Sequence, residues 1–109
     1  MEPLLTKLAS IEARYQEIER LMATPEVATD YERVQTLAKE RASLEDMVSM
    51  YREYRSLLKE KEGVLAILGE GSDPEMASLA RQELEALERT LSHLDQGLRV
   101  ALLPKDPND

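Results

Sequence analysis

The sequence predicts an all-α fold: an elongated, antiparallel three-helix, coiled-coil-like bundle built around a long hairpin of its second and third helices. Three observations carry that expectation. Apolar residues make up 42% of the chain and charged residues 33%, a balance suited to long amphipathic helices. There is no Phe or Trp and there are four Tyr, so the bulky and sheet-favouring side chains of a β-sandwich or a large globular core are scarce. The apolar residues recur at alternating spacings of three and four, the mark of a narrow seam between helices.

The first helix is expected over about 3–22. Leu4, Leu8, Ile11, Tyr15, Ile18 and Met22 form its stripe, and Pro3 suits a first turn, where the missing N–H costs little. Pro25 disfavours helical geometry in the residue before it, which predicts a break at Ala23-Thr24-Pro25. Thr29-Asp30-Tyr31-Glu32 then reads as a capping box with Thr29 as N-cap.

The second helix is expected over about 30–68. Val34, Leu37, Arg41, Leu44, Val48, Tyr51, Arg55 and Leu58 keep the same rhythm, which places Arg41 and Arg55 on the seam, either extending outward or pairing with acidic residues of helix three. Met47, Met50, Tyr51 and Tyr54 are expected to pack in or beside the seam, with a soft protein-binding patch as the alternative. Gly63 interrupts the pattern without ending it, with a bend as one outcome. Gly69-Glu70-Gly71 is the stop.

The third helix is expected over about 73–103, with Ser72 or Asp73 as N-cap and Pro74 just inside. Its stripe is Ala80, Leu84, Leu87, Leu91, Leu94, Leu98 and Ala101. Residues 1–103 thus form one helical domain, and 104–109, with two prolines and no aliphatic side chain, read as a linker. Val64, Leu65 and Leu102 are expected to be exposed.

Catalytic, metal and cofactor sites are not expected. Without cysteine there is no thiol chemistry or Cys-ligated zinc, and the single His93 cannot build a metal site alone. Pairs such as Glu85 with Glu88, or Glu45 with Asp46, need a pocket to act as acid and base, and a thin bundle offers little concavity. Gly69-Glu70-Gly71-Ser72 precedes a helix but no strand leads into it, so it reads as a tight turn. No signal peptide or membrane span is apparent, and a soluble, cytoplasmic protein is expected.

The charge distribution is more telling. The net charge is −8, which argues against a protein that coats DNA or other nucleic acid indiscriminately. Residues 1–29 contribute −2, residues 30–62 contribute −1, and residues 63–109 contribute −5. The nearly neutral middle stretch gathers Arg52, Arg55, Lys59 and Lys61 near its far end. These four are the candidate contact residues, either as a solvated face or as a phosphate-contacting surface.

The stretch TDYERVQTLAKERASLE (Thr29–Glu45), the helix start SDPEMASLARQELEALE and the exit LLPKDPND resemble bacterial class I peptide chain release factors, of the type that reads UAG and UAA. The resemblance implies an N-terminal helical domain whose exit leads into a β-rich core not included here. It implies a place in translation termination, with the ribosome as partner near the stalk-base protein and its rRNA, and an association with the GTPase class II release factor; neither DNA nor membrane is implied. The family's Gly-Gly-Gln and Pro-x-Thr motifs are absent from this chain, so no catalytic or decoding residue carries over. A free-standing coiled-coil adaptor or chaperone-like hairpin is the competing expectation.

Overall fold

The computed structural model describes residues 2–71 and 73–104. Among these there is no strand, and four helices follow one another: α1 (Glu2–Ala23), α2 (Pro25–Ala28), α3 (Tyr31–Gly69) and α4 (Pro74–Ala101). The all-α expectation is met. The linker expected over 104–109 lies outside the described residues save for Pro104.

The chain divides into two compact units, Met1–Ser49 and Met50–Asp109, and α3 contributes to both. In the first unit, the break at Pro25 holds a single helical turn, α2, which the sequence analysis did not anticipate. Thr24 is its N-cap in an extended conformation and Pro25 occupies its first position, where a fixed φ helps and a missing N–H costs nothing. The turn earns its place by burying Val27, which joins Ile18 and Leu37 in one cluster, with Leu21, Met22, Val34 and Leu44 packed around them.

Capping at the start of α3 differs from expectation by one residue. Thr29 closes α2, its hydroxyl donating to the Pro25 carbonyl at 2.9 Å. Asp30 takes the capping role: its carboxylate accepts from the Arg33 amide at 3.3 Å. The extra turn of α2 uses up Thr29, so the next short polar side chain caps α3.

Charged pairs join α1 to α3 across this unit. The Arg14 guanidinium grips Glu40 with two parallel bonds, Nε to Oε2 at 2.6 Å and Nη2 to Oε1 at 2.8 Å, and also reaches Glu17 at 3.1 Å. The fork geometry makes this stronger than a single-bonded pair. Arg41 is half-buried, as its seam position foretold, but it pairs with Glu19 of α1 at 3.2 Å and lies 5.0 Å over the Tyr15 ring. Its partner is therefore on the first helix and not on the last.

In the second unit, the later part of α3 packs on α4. Val64, Ala80 and Leu87 form the core cluster, flanked by Leu57, Leu68 and Leu84. The expectation that Val64 is exposed is therefore wrong, since it is buried; Leu65 is exposed as expected, and Leu102 is half-buried. Helix α3 runs through Gly63 without interruption. Gly71 closes the turn with a φ of 71°, a left-handed conformation that only glycine adopts cheaply. Asp73 then caps α4, accepting from the Met76 amide at 2.8 Å; Ser72 lies outside the described residues. A Cβ built at Gly97 would stand 3.2 Å from the Met50 sulfur, so the Met50 side chain of α3 packs into the space that the missing side chain leaves on α4.

The glycines give a first prediction. Nothing lies within 4 Å of a Cβ at Gly63, so Gly63→Ala raises stability by about 0.5–1 kcal/mol in chemical denaturation, while Gly71→Ala lowers it. Leu98, fully buried, loses about 2–5 kcal/mol on Leu98→Ala in the same measurement. A further prediction concerns pH. The hydrogen bonds from Arg14 hold the Glu40 carboxyl below its ordinary value of 4.5, outweighing a small opposing desolvation. A group whose folded value is depressed stabilises the fold above its unfolded value and ceases to do so as pH falls through the folded one. Stability therefore declines as pH drops below about 4.5, and Glu40→Gln removes part of that decline in acid titrations of the unfolding midpoint.

Candidate functional site

The four predicted basic residues all lie on the part of α3 that belongs to the second unit, and the helix sorts them into two groups. Which side each faces is decided by a change of rhythm in the apolar stripe. The sequence expectation runs Val48, Tyr51, Arg55, Leu58. The structure buries Val48, Tyr51, Tyr54 and Val64, and leaves Arg55 exposed. Given the choice between a phenol ring and a guanidinium for the same inward sector, burial favours the ring, because an unpaired cation pays a large desolvation cost. The stripe therefore steps by three from Tyr51 to Tyr54.

That step turns Arg55 onto the outer face beside Arg52 and Lys59. Positions 52, 55, 56 and 59 are neighbours at helical spacings of three and four, and Arg52, Arg55, Ser56 and Lys59 line one open depression on the surface of α3. The Arg55 guanidinium sits 5.5 Å over the Tyr51 ring, a cation–π contact that orients the head group. The ring is itself anchored, since Tyr51 is buried. Lys61 does not join them. Its Nζ lies 3.9 Å from Glu88 Oε1 on α4. Three of the four candidates thus share a face, and the fourth pairs across the hairpin.

The depression is shallow and carries no carboxylate or imidazole among its lining residues. It can offer an anion several N–H donors and a hydroxyl at its edge, which is the chemistry of phosphate contact and not of bond cleavage. Of the imagined acid–base pairs, Glu45, Asp46, Glu85 and Glu88 are all exposed. His93 is exposed on α4. Among the described residues, no three His, Asp or Glu side chains come together as metal ligands, and no helix is long and apolar enough to cross a membrane.

Tyr54, brought inward by the step, is a residue that the sequence reading placed only in or beside the seam. Burial pushes its phenol above the ordinary value of 10.0, and the nearby Asp95 charge adds to the effect. One oxygen of that Asp95 has no hydrogen-bond partner, while the other accepts from Arg99 Nε at 3.1 Å. The signal that could have separated Tyr54 from Arg55 was the larger apolar body of the tyrosine, set against a strict heptad count.

Comparison with known proteins gives the arrangement its context. Residues 11–109 match the PCRF domain family. The chain belongs to this family. It is also similar to proteins named peptide chain release factor 1. The one from Lactobacillus delbrueckii subsp. bulgaricus is 38% identical over 109 residues, covering 100% of this chain and 30% of that protein. Those from Syntrophomonas wolfei and Dehalococcoides mccartyi are 42% and 43% identical over 106 residues, covering 97% of this PCRF chain and 30% of each relative. The chain spans about 30% of the length of the curated relatives it matches. No solved structure matches it. The likeness to bacterial class I release factors, read first from the helix starts and the LLPKDPND exit, is thus shown over the PCRF domain.

Proposed function

We propose that this PCRF domain is a non-catalytic accessory domain for translation termination, which helps position a peptide chain release factor on the ribosome. The observation that carries the proposal is the family match over residues 11–109, together with relatives named peptide chain release factor 1. The chemistry of the chain agrees with it. Three gathered cations, Arg52, Arg55 and Lys59, line a face suited to phosphate, and the Gly-Gly-Gln and Pro-x-Thr motifs of class I factors do not occur in the sequence.

In this reading, the partner is the ribosome near its stalk base, where rRNA phosphate meets Arg52, Arg55 and Lys59. Lys61 contributes less, because Glu88 already neutralises part of its charge. The GTPase class II release factor is the second partner, and the location is the cytoplasm, where ribosomes work. Contacts of this kind are small and transient, since a termination factor must leave after each event.

Binding of the purified chain to bacterial ribosomes, measured by co-sedimentation across a salt series, tests this. Replacing Arg52, Arg55 and Lys59 together by Ala weakens association about tenfold and flattens the slope of log K against log salt by about 2–3. All three are on the surface, so the unfolding midpoint of the triple variant changes little. Unchanged binding at every salt concentration removes these residues from the account, and absence of any ribosome binding by the wild-type chain removes the positioning role. The chain alone is expected to release no peptide from peptidyl-tRNA, and genuine turnover would overturn the non-catalytic assignment.

A further inference from the structure

The turn end of the α3–α4 hairpin combines two features that the function above does not use. Between Lys61 and Arg81 the chain carries no Lys, Arg or His, yet it carries Glu62, Glu70, Asp73 and Glu75. The same stretch holds four of the exposed large apolar side chains: Leu65 at 46% relative exposure, Ile67 at 37%, Met76 at 49% and Leu79 at 58%. Val64 and Ala80 share one core cluster with Leu87, so both face the seam between α3 and α4. Ile67 lies three residues after Val64, and Met76 and Leu79 lie four and one before Ala80. All of them therefore fall at the turn end, and helical periodicity sets Ile67, Met76 and Leu79 on one side of the pair.

We propose that this turn end is a protein-docking surface whose partner presents aliphatic side chains together with lysine and arginine. Exposed apolar side chains gathered in one place indicate that something covers them, and the charge around them selects what. The cationic face of a second copy, lined by Arg52, Arg55, Ser56 and Lys59, offers no aliphatic residue to cover the apolar side chains, and a second copy meeting the turn end through its own would bring like charge against like. Nucleic acid and anionic lipid surfaces are repelled for the same reason. A cationic protein face with an apolar strip meets both the aliphatic side chains and the carboxylates, and the carboxylates would steer it in. The basic depression at Arg52, Arg55 and Lys59 is a different surface, so this inference stands apart from the ribosome-positioning role.

The test uses the intact chain, labelled with nitrogen-15, and a synthetic amphipathic helical peptide of leucine and lysine as probe. Amide shifts are expected to concentrate within 62–80, and Leu79→Ser with Met76→Ser weakens binding about tenfold, as loss of an apolar anchor does. Replacing Glu70, Asp73 and Glu75 by Gln, Asn and Gln weakens binding and reduces its salt dependence; Asn at 73 keeps the cap. The Arg52, Arg55 and Lys59 to Ala variant binds the peptide unchanged, which separates failure here from failure of the ribosome contact. Equal binding of a leucine–glutamate peptide overturns the proposal, as do shifts centred outside 62–80. So does concentration-dependent self-association that Leu79→Ser abolishes, because the occupant would then be a second copy.

Discussion

The need of α3 to bury a narrow apolar stripe within each unit governs most of what this chain presents to its surroundings. Without Phe or Trp to supply large buried areas, the core of each unit is a line of Leu, Ile, Val, Ala and Tyr side chains, each buried Leu, Ile or Val contributing about 1.5–3 kcal/mol. A line has no depth to hide an error. Every residue pulled inward fixes which neighbours face outward, because a helix turns by about 100° per residue. The inward position of Tyr54 and the outward position of Arg55 are two consequences of one rotation. The cationic face of the second unit is thus a by-product of how its core is filled.

The two units use charge differently. In the first, the Arg14–Glu40 fork and the Arg41–Glu19 pair tie α1 to α3 beside a cluster built from Ile18, Val27 and Leu37. The long arginine stems cover apolar surface while their heads find carboxylates. In the second, basic residues collect at positions 52–59 and acidic ones at 62–75 along the same helix and its turn. Lys61 with Glu88 joins α3 to α4 by charge. The first unit ties two helices with paired arginines, and the second sets a basic stretch beside an acidic one along the chain.

Much of this was legible in the sequence. Helix identity, the turn at Gly69-Glu70-Gly71 and the capping of α4 by Asp73 follow from local chemistry, and local chemistry is what a sequence states most directly. Two kinds of detail were not. Single-residue choices, such as Asp30 over Thr29 as cap, depended on the unforeseen turn of α2, whose reason is tertiary: Val27 needs a cluster to enter. The heptad count failed from Tyr51 onward because a count treats positions as equal and packing does not. The same rotation explains why Val64 is buried and Leu65 is not. For the candidate site, the gathering of Arg52, Arg55 and Lys59 could be read from spacing; the departure of Lys61 toward Glu88 required the position of α4.

The notch at Gly97 carries one more consequence. A glycine inside a helix gives up about 1 kcal/mol relative to alanine, and here the vacancy is occupied by the sulfur of Met50. Thioether chains bend at three torsions and adapt to irregular gaps. The packing beside Gly97 is therefore made by an adaptable side chain, which can follow a small displacement of the opposing helix by turning its own torsions while the leucines of the seam keep theirs.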